Sequence, residues 1–222
     1  MSSNLWRLQT FDPEANFSIV DRKLPHWSQA GTVCFITWRT FDSLPSTVLQ
    51  RWHAERDEWL CRHGIDPRSN DWREQLQECG LSIRSDFTKT FSKRWHRNLD
   101  EGHGDCILRQ PNVSKIVADS LMHFDGKRYE MIDFVVMPNH VHLLASFVNE
   151  NGMLRQCDSW KHFTAHKLNV LLGRSGRFWQ QDGFDHLVRT AAHFDAFRRY
   201  IAGNPQKAGL KVGEYLHYSK DL

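Results

Sequence analysis

Two apolar runs, KRYEMIDFVVM (127–137) and HVHLLASFV (140–148), are separated only by Pro138-Asn139. So short a gap admits only a tight turn, and the runs read as neighbouring antiparallel strands. Strand side chains alternate between faces. Val141, Leu143, Ala145 and Phe147 therefore form one apolar row, expected to face helices. The opposite row reads His140, His142, Leu144 and Ser146.

The rest of the chain arranges itself around that pair. Residues 31–40 (GTVCFITWRT) are rich in β-branched and aromatic side chains and read as a strand. A helix follows from Ser46 to about Arg62, and residues 64–70 are loop by their Gly, Pro and Ser content. Residues 71–98 read as helical and basic. Ile116, Val117, Leu121 and Met122 lie at helical spacing in a helix over 112–124. Another helix is expected over 153–173, then loop with short extended pieces. A last helix, capped by Thr190, runs from Ala191 to about Gly203 and ends at Asn204-Pro205. The order implies an α+β fold, an antiparallel sheet with helices on one face. Residues 1–222 are expected to form a single domain, with an N-terminal arm (1–25), a helical insertion (64–111) and a C-terminal tail (211–222).

Composition excludes several classes. The five cysteines are scattered, with no CxxC pair, which suits reduced thiols better than a disulfide framework or a zinc site. No apolar run approaches a membrane span, and the N-terminus lacks a signal-peptide pattern. A cytoplasmic protein without membrane contact is the expectation. The net charge is only +3, but residues 84–97 carry five Lys/Arg against one Asp. Such a run is usually a solvated face.

His140 and His142 lie roughly 6.6 Å apart along one strand face, close enough for their rings to meet on one ion. A bare HxH is more often simply part of a solvent-facing row, so the rest of a site must be found elsewhere. In the last helix, Phe194, Phe197 and Ile201 form the apolar stripe, and Tyr200 falls roughly 90° from it. Asn204 follows one turn after Tyr200, on the same side. Taken alone, such a pair is more often an interfacial Tyr and a helix-ending Asn-Pro. His162 and His166, at i and i+4, lack the intervening Glu of HExxH and read as a surface pair. Trp179 and Phe184 read as core rather than as base-stacking platforms.

In combination these residues resemble the REP-associated tyrosine transposases, within the HUH nucleases of single-stranded DNA. The stretches that carry the resemblance are VVMPNHVHLL, SWKHFTAHKLN, RFWQQDGFDHLVR and YIAGNPQKAGL, with CFITWRTFDSLP and HFDGKRY before them. It runs from about His26 to Leu210. Compact members of the family lack the region between about Gly64 and Pro111, and longer members carry something similar to LDEGHGDCILRQP. The resemblance implies a ferredoxin-like sheet (the HUH nuclease fold) with the histidine pair on its open face. It implies His140, His142 and Asn204 as ligands of a divalent ion, Mg²⁺ or Mn²⁺, and Tyr200 as nucleophile. On ligand chemistry alone, two imidazoles favour zinc or manganese.

The implied activity is cleavage and strand transfer of single-stranded DNA near palindromic hairpins, through a 5′-phosphotyrosine, by a monomer or homodimer. Tyrosine suits that role. The covalent link keeps the energy of the phosphodiester for a second DNA end, whereas water would lose it. The alternative is a domesticated hairpin-binding protein without transposition activity, against which the intact residue set argues. A replication initiator or relaxase usually carries a third histidine or a second helical tyrosine, and neither is evident. Lys161, Arg174, Arg177, Arg189 and Lys207 fall in family-like words and are candidate DNA contacts.

Overall fold

The computed structural model describes residues 9–21, 25–43, 46–92, 103–149, 151–181 and 183–221. Its strands are β1 (Ser18–Asp21), β2 (Pro25–Ser28), β3 (Val33–Arg39), β4 (Tyr129–Met137), β5 (His140–Phe147), β6 (Phe184–Leu187) and β7 (Leu216–Ser219). Its α-helices are α1 (Ser46–Arg62), α2 (Trp72–Glu78), α3 (Leu81–Phe87), α4 (Pro111–Met122), α5 (Gly152–Leu171) and α6 (Ala191–Lys207). The contacts divide the chain into two compact units, Met1–Phe41 with Asp105–Leu222, and Asp42–Gly104.

The first unit is a mixed α+β structure. Its sheet has the order β6-β3-β5-β4-β7, antiparallel throughout. Setting β7 aside, this is the ferredoxin-like arrangement. β5 lies between the ends of β3-α4-β4, and β3 between the ends of β5-α5-β6. Pro111 starts α4, where its missing N–H costs no helical bond. Val141, Leu143, Ala145 and Phe147 pack with Cys34, Ile36 and Trp38 against Val117 and Leu121 of α4 and Trp160 of α5. Burying each such side chain contributes about 1.5–3 kcal/mol. A one-residue slip of β5 would turn the whole row to the other face, so its register is firmly set. Trp160→Ala, which empties the middle of this layer, should cost about 3–5 kcal/mol.

The opposite face differs from the expectation of helices on one side only. There Val33, Phe35, Ile132, Val135, Met137 and Leu144 pack beneath α6, through Ile201, Phe194, Phe197 and Tyr200. The helix is amphipathic and must bury its stripe. With α4 and α5 filling one face, the remaining apolar surface is the one that carries the histidines. Helix α6 also passes Pro205 and continues to Lys207 instead of stopping at Gly203. Proline removes a single amide donor there. The chain beyond is held by Ala208 N–H to Asn204 O at 3.1 Å and Leu210 N–H to Pro205 O at 3.0 Å.

Both ends of the chain contribute strands. β1 and β2 form a separate two-stranded sheet, while residues 1–8 of the expected arm lie outside the described set. In the tail, β7 adds to the sheet beside β4, with Tyr218 stacked on Phe134 at 5.3 Å.

The second unit has its own core of Trp59, Leu60, Ile65, Leu76 and Phe91. It includes α1, so its boundary falls earlier than the insertion expected at 64–111. Residues 71–98 do not form one helix. Gly80 adopts φ −58°, ψ 152°, which breaks the chain between α2 and α3, and a π-helical turn follows at Thr88–Ser92. The part of that stretch beyond Ser92 lies outside the described residues. Cys34 and Cys157 are buried and Cys61 is exposed. Among the described residues no helix is long and apolar enough to cross a membrane.

Candidate active site

Strand alternation and the pairing register together build the site. Thr37 lies opposite His142, and Arg39 opposite His140, across the β3–β5 pair. On the other side Val135 and Met137 flank the same two histidines from β4. The imidazoles are 1% and 2% exposed, so they lie under α6 and not on an open face. Their ring centroids are 4.6 Å apart.

One nitrogen of each ring is engaged. His140 Nδ1 bonds Asn139 Oδ1 at 2.7 Å, and His142 Nδ1 bonds Thr37 Oγ1 at 2.6 Å. The Asn139 oxygen can only accept, so His140 carries its proton on Nδ1 and keeps its lone pair on Nε2. The Nε2 atoms of both rings are buried and have no hydrogen-bond partner among the described residues. Buried polar groups are rarely left in that state. An outer nitrogen fixed by a protein group and an inner nitrogen left free is the pattern of metal-ligating histidines.

The electrostatics agree. Burial pushes the His140 pKa well below its ordinary value, helped by His142 and Arg39. Burial, then Arg39, does the same for His142. Both rings are therefore neutral near pH 7, the form that donates a lone pair to a cation.

Tyr200 completes the cluster from α6. Its ring lies 5.1 Å from His142 and 5.8 Å from Phe35, edge-on to both. Lys207 Nζ sits 5.3 Å from the Tyr200 ring centroid. Asn204 follows one turn after Tyr200 on the same helix and is 3% exposed. Asn204 lies within the helix and not at its expected end, because α6 continues past Pro205 to Lys207. Among the described residues no group of three or more His, Cys, Asp or Glu is placed to hold a metal. The residues that could offer donors to an ion are His140 and His142 on β5 and Asn204 on α6.

The other tyrosines are placed differently. Tyr129 is buried, its hydroxyl donating to Leu121 O at 2.7 Å. Tyr218 stacks on Phe134, part of the layer under α4 and α5. Tyr215 packs with the α6 layer but precedes β7.

The candidate DNA contacts scatter. Lys207 and Arg189 lie toward α6, Arg189 near enough to His186 to act on its charge. Lys161 is on α5, across the sheet, and donates to Gln181 O at 2.6 Å. Arg174 pairs with Asp105 at 2.7 Å, and Arg177 lies over the Phe41 ring at 5.5 Å. His162 and His166 are exposed on α5. Trp179 is buried as expected, but Phe184 is 45% exposed.

Sequence reasoning missed Thr37, Arg39, Asn139 and the pair Asp133–Arg198. A signal existed for the first two. In VCFITWR, Thr37 and Arg39 are polar at period two in an otherwise apolar strand, as the histidines are in β5.

No protein-family model matches the chain, and none of the curated proteins does. Among solved structures, that of a REP-associated tyrosine transposase bound to a REP hairpin matches with 12% identity. The match covers 91% of this chain and 95% of that one, with a TM-score of 0.45.

Proposed function

We propose that this protein cuts and transfers single-stranded DNA beside a hairpin, with Tyr200 as the nucleophile and a divalent ion, Mg²⁺ or Mn²⁺, held by His140, His142 and Asn204. The observation that carries this is the pair of buried Nε2 atoms that find no partner among the described residues, on neighbouring rings of which His142 lies 5.1 Å from the Tyr200 ring. The DNA substrate and hairpin context are supported by the sequence motifs that surround these residues.

The ion, when bound, would withdraw charge from a non-bridging phosphate oxygen. The protein's own residues do the rest. Thr37 and Asn139 hold the imidazoles by Nδ1 and leave both Nε2 atoms for the ion. Tyr200 Oη attacks phosphorus, the bond from phosphorus to the 3′ oxygen breaks, and a 3′-OH leaves with a 5′-phosphotyrosine behind it. A second 3′-OH then displaces Tyr200, restoring the phosphodiester and the phenol. Lys207 beside the ring favours the charge that develops on the phenol oxygen in both steps. Buried Arg39 beside His140 adds a fixed positive charge where the phosphate would sit.

The experiment is to trap the adduct. A labelled single-stranded hairpin with Mn²⁺ should leave a covalent protein–DNA species on a denaturing gel, and peptide mapping should place the DNA on Tyr200. Attachment at another residue, or equal cleavage of blunt duplex, would overturn the mechanism. Hairpin binding with no adduct would leave a DNA-binding protein only.

A further inference from the structure

Beyond Tyr200 the rings continue to the edge of the sheet. Phe35 stacks on Phe197 of α6, centroids 4.3 Å apart and planes within 8°. His193, one turn earlier on α6, lies 4.4 Å from Phe197 and 5.0 Å from His186 of β6. His186 and Phe184 stand two residues apart on one face of β6, rings 13° from parallel and centroids 6.4 Å apart. β6 is the edge strand of the sheet, and Phe184 closes the row with 45% of its surface in water.

A single exposed Phe is ordinary. Three observations set this one apart. It ends an unbroken row of rings that begins at the Tyr200 site. The strand that carries it is fixed from behind, because Asp185, between Phe184 and His186, is buried and pairs with His26 Nδ1. A positive charge stands beside it. Arg189 is exposed just past the end of β6, where its guanidinium can meet a phosphate, and burial first, then His193 and Arg189, lower the His186 pKa. Exposed edge strands are commonly blunted by Lys or Pro. This strand instead presents flat rings next to the Arg189 cation, the combination that binds single-stranded nucleic acid.

We propose that Phe184 and His186 form a stacking platform for the unpaired bases of the strand leading away from the Tyr200 site, with Arg189 and His193 facing its phosphates. The proposal rests on single-stranded DNA being the substrate. It adds a second subsite on the edge of the sheet that grips the tail and not the hairpin. Stacking on a ring is tolerant of sequence, so the platform should act on any base.

The test uses the full chain carrying Tyr200→Phe, so that binding is read without cleavage. Two probes are compared by fluorescence titration: a hairpin with an unpaired tail bearing 2-aminopurine, and the same hairpin without a tail. Phe184→Leu keeps an apolar side chain and removes the ring. It should weaken the tailed hairpin by roughly 5- to 100-fold, leave the blunt hairpin unchanged and abolish quenching of the 2-aminopurine. Phe184→Trp should keep both affinity and quenching. Because Phe184 is exposed, folding is not at stake, and an unchanged thermal transition confirms it. Equal affinity of the wild-type and Leu forms for the tail, or equal loss for both probes, would overturn the platform. So would loss of self-association with unchanged DNA affinity, which would assign the edge to a second copy of the chain. Adduct formation at Tyr200, measured separately in the wild type, keeps the two proposals distinct. An adduct with no effect of Phe184→Leu sinks only the platform, and selective tail loss with no adduct sinks only the transfer chemistry.

Discussion

Arg198 of α6 reaches the buried carboxylate of Asp133 on β4, Nε to Oδ2 at 2.7 Å, and its Nη2 continues to Ser219 Oγ and Lys220 O. One guanidinium thus ties the tyrosine helix to a central strand and to the chain around β7. Tyr200 lies two residues further along the same helix. Arg198→Ala would leave the Asp133 charge buried without this partner, at about 3 kcal/mol. For a chain of this size that corresponds to roughly 6–12 °C in the melting temperature. Arg198→Lys should recover part of the loss, because a single ammonium cannot span all three acceptors. Differential scanning calorimetry of the two variants checks this. A melting temperature unchanged in Arg198→Ala would show that the clamp contributes nothing.

Tyr200→Phe should abolish cleavage and the covalent adduct while DNA affinity stays within a few-fold. It removes one oxygen and keeps the ring that packs against Phe35. Tyr215→Phe and Tyr218→Phe should stay active, since neither is carried on α6. Gel assays on the three variants distinguish them, and a surviving adduct in Tyr200→Phe contradicts the assignment.

His140→Ala or His142→Ala should each eliminate cleavage, and hairpin binding should persist because it rests on many phosphate contacts. EDTA should reproduce the variants. Asn204→Ala should reduce activity less, because water can replace an amide ligand. Titration calorimetry with Mn²⁺ reads the site without any reaction, and heat of binding equal to wild type in either histidine variant would refute the ligand set.

Thr37→Val keeps the shape of the side chain and removes the oxygen bonded to His142 Nδ1. Loss of such an outer partner typically costs 10- to 100-fold in metal affinity. Mn²⁺ affinity should fall within that range while the fold survives, and unchanged affinity would show that Thr37 does not orient the ring.

The buried histidines also predict a pH dependence. Their folded pKa values lie well below the 6.5 of a free imidazole, chiefly through burial. Above that value both states are neutral and the rings add no pH dependence. As the pH falls below about 6.5, the unfolded chain takes up protons that the folded chain refuses, and stability declines down to the folded pKa values. The slope is about 1.4 kcal/mol per pH unit for each ring. Denaturant titrations between pH 7.5 and 5.5 should show the decline, reduced in His140→Gln/His142→Gln. An identical slope in that variant would place the effect elsewhere.

The sequence alone determined what depends on local period. Alternation along β5 placed Val141 to Phe147 on one side and His140 with His142 on the other, and the structure keeps both rows. The helical stripe of α6 and its Thr190 cap were equally legible, the cap accepting from His193 N at 3.1 Å. These features follow from backbone geometry within a few residues. What only the tertiary structure decided was which face each element meets. Nothing near residue 200 says that α6 crosses the histidine row, or that Phe184 ends exposed on an edge strand. Nor does local sequence say that Thr37 pairs with a ring 105 positions away, or that Asp133 awaits Arg198. Those relations come from strand order and from competition for apolar surface. Both are settled by the whole sheet at once, so a period read in one segment does not contain them.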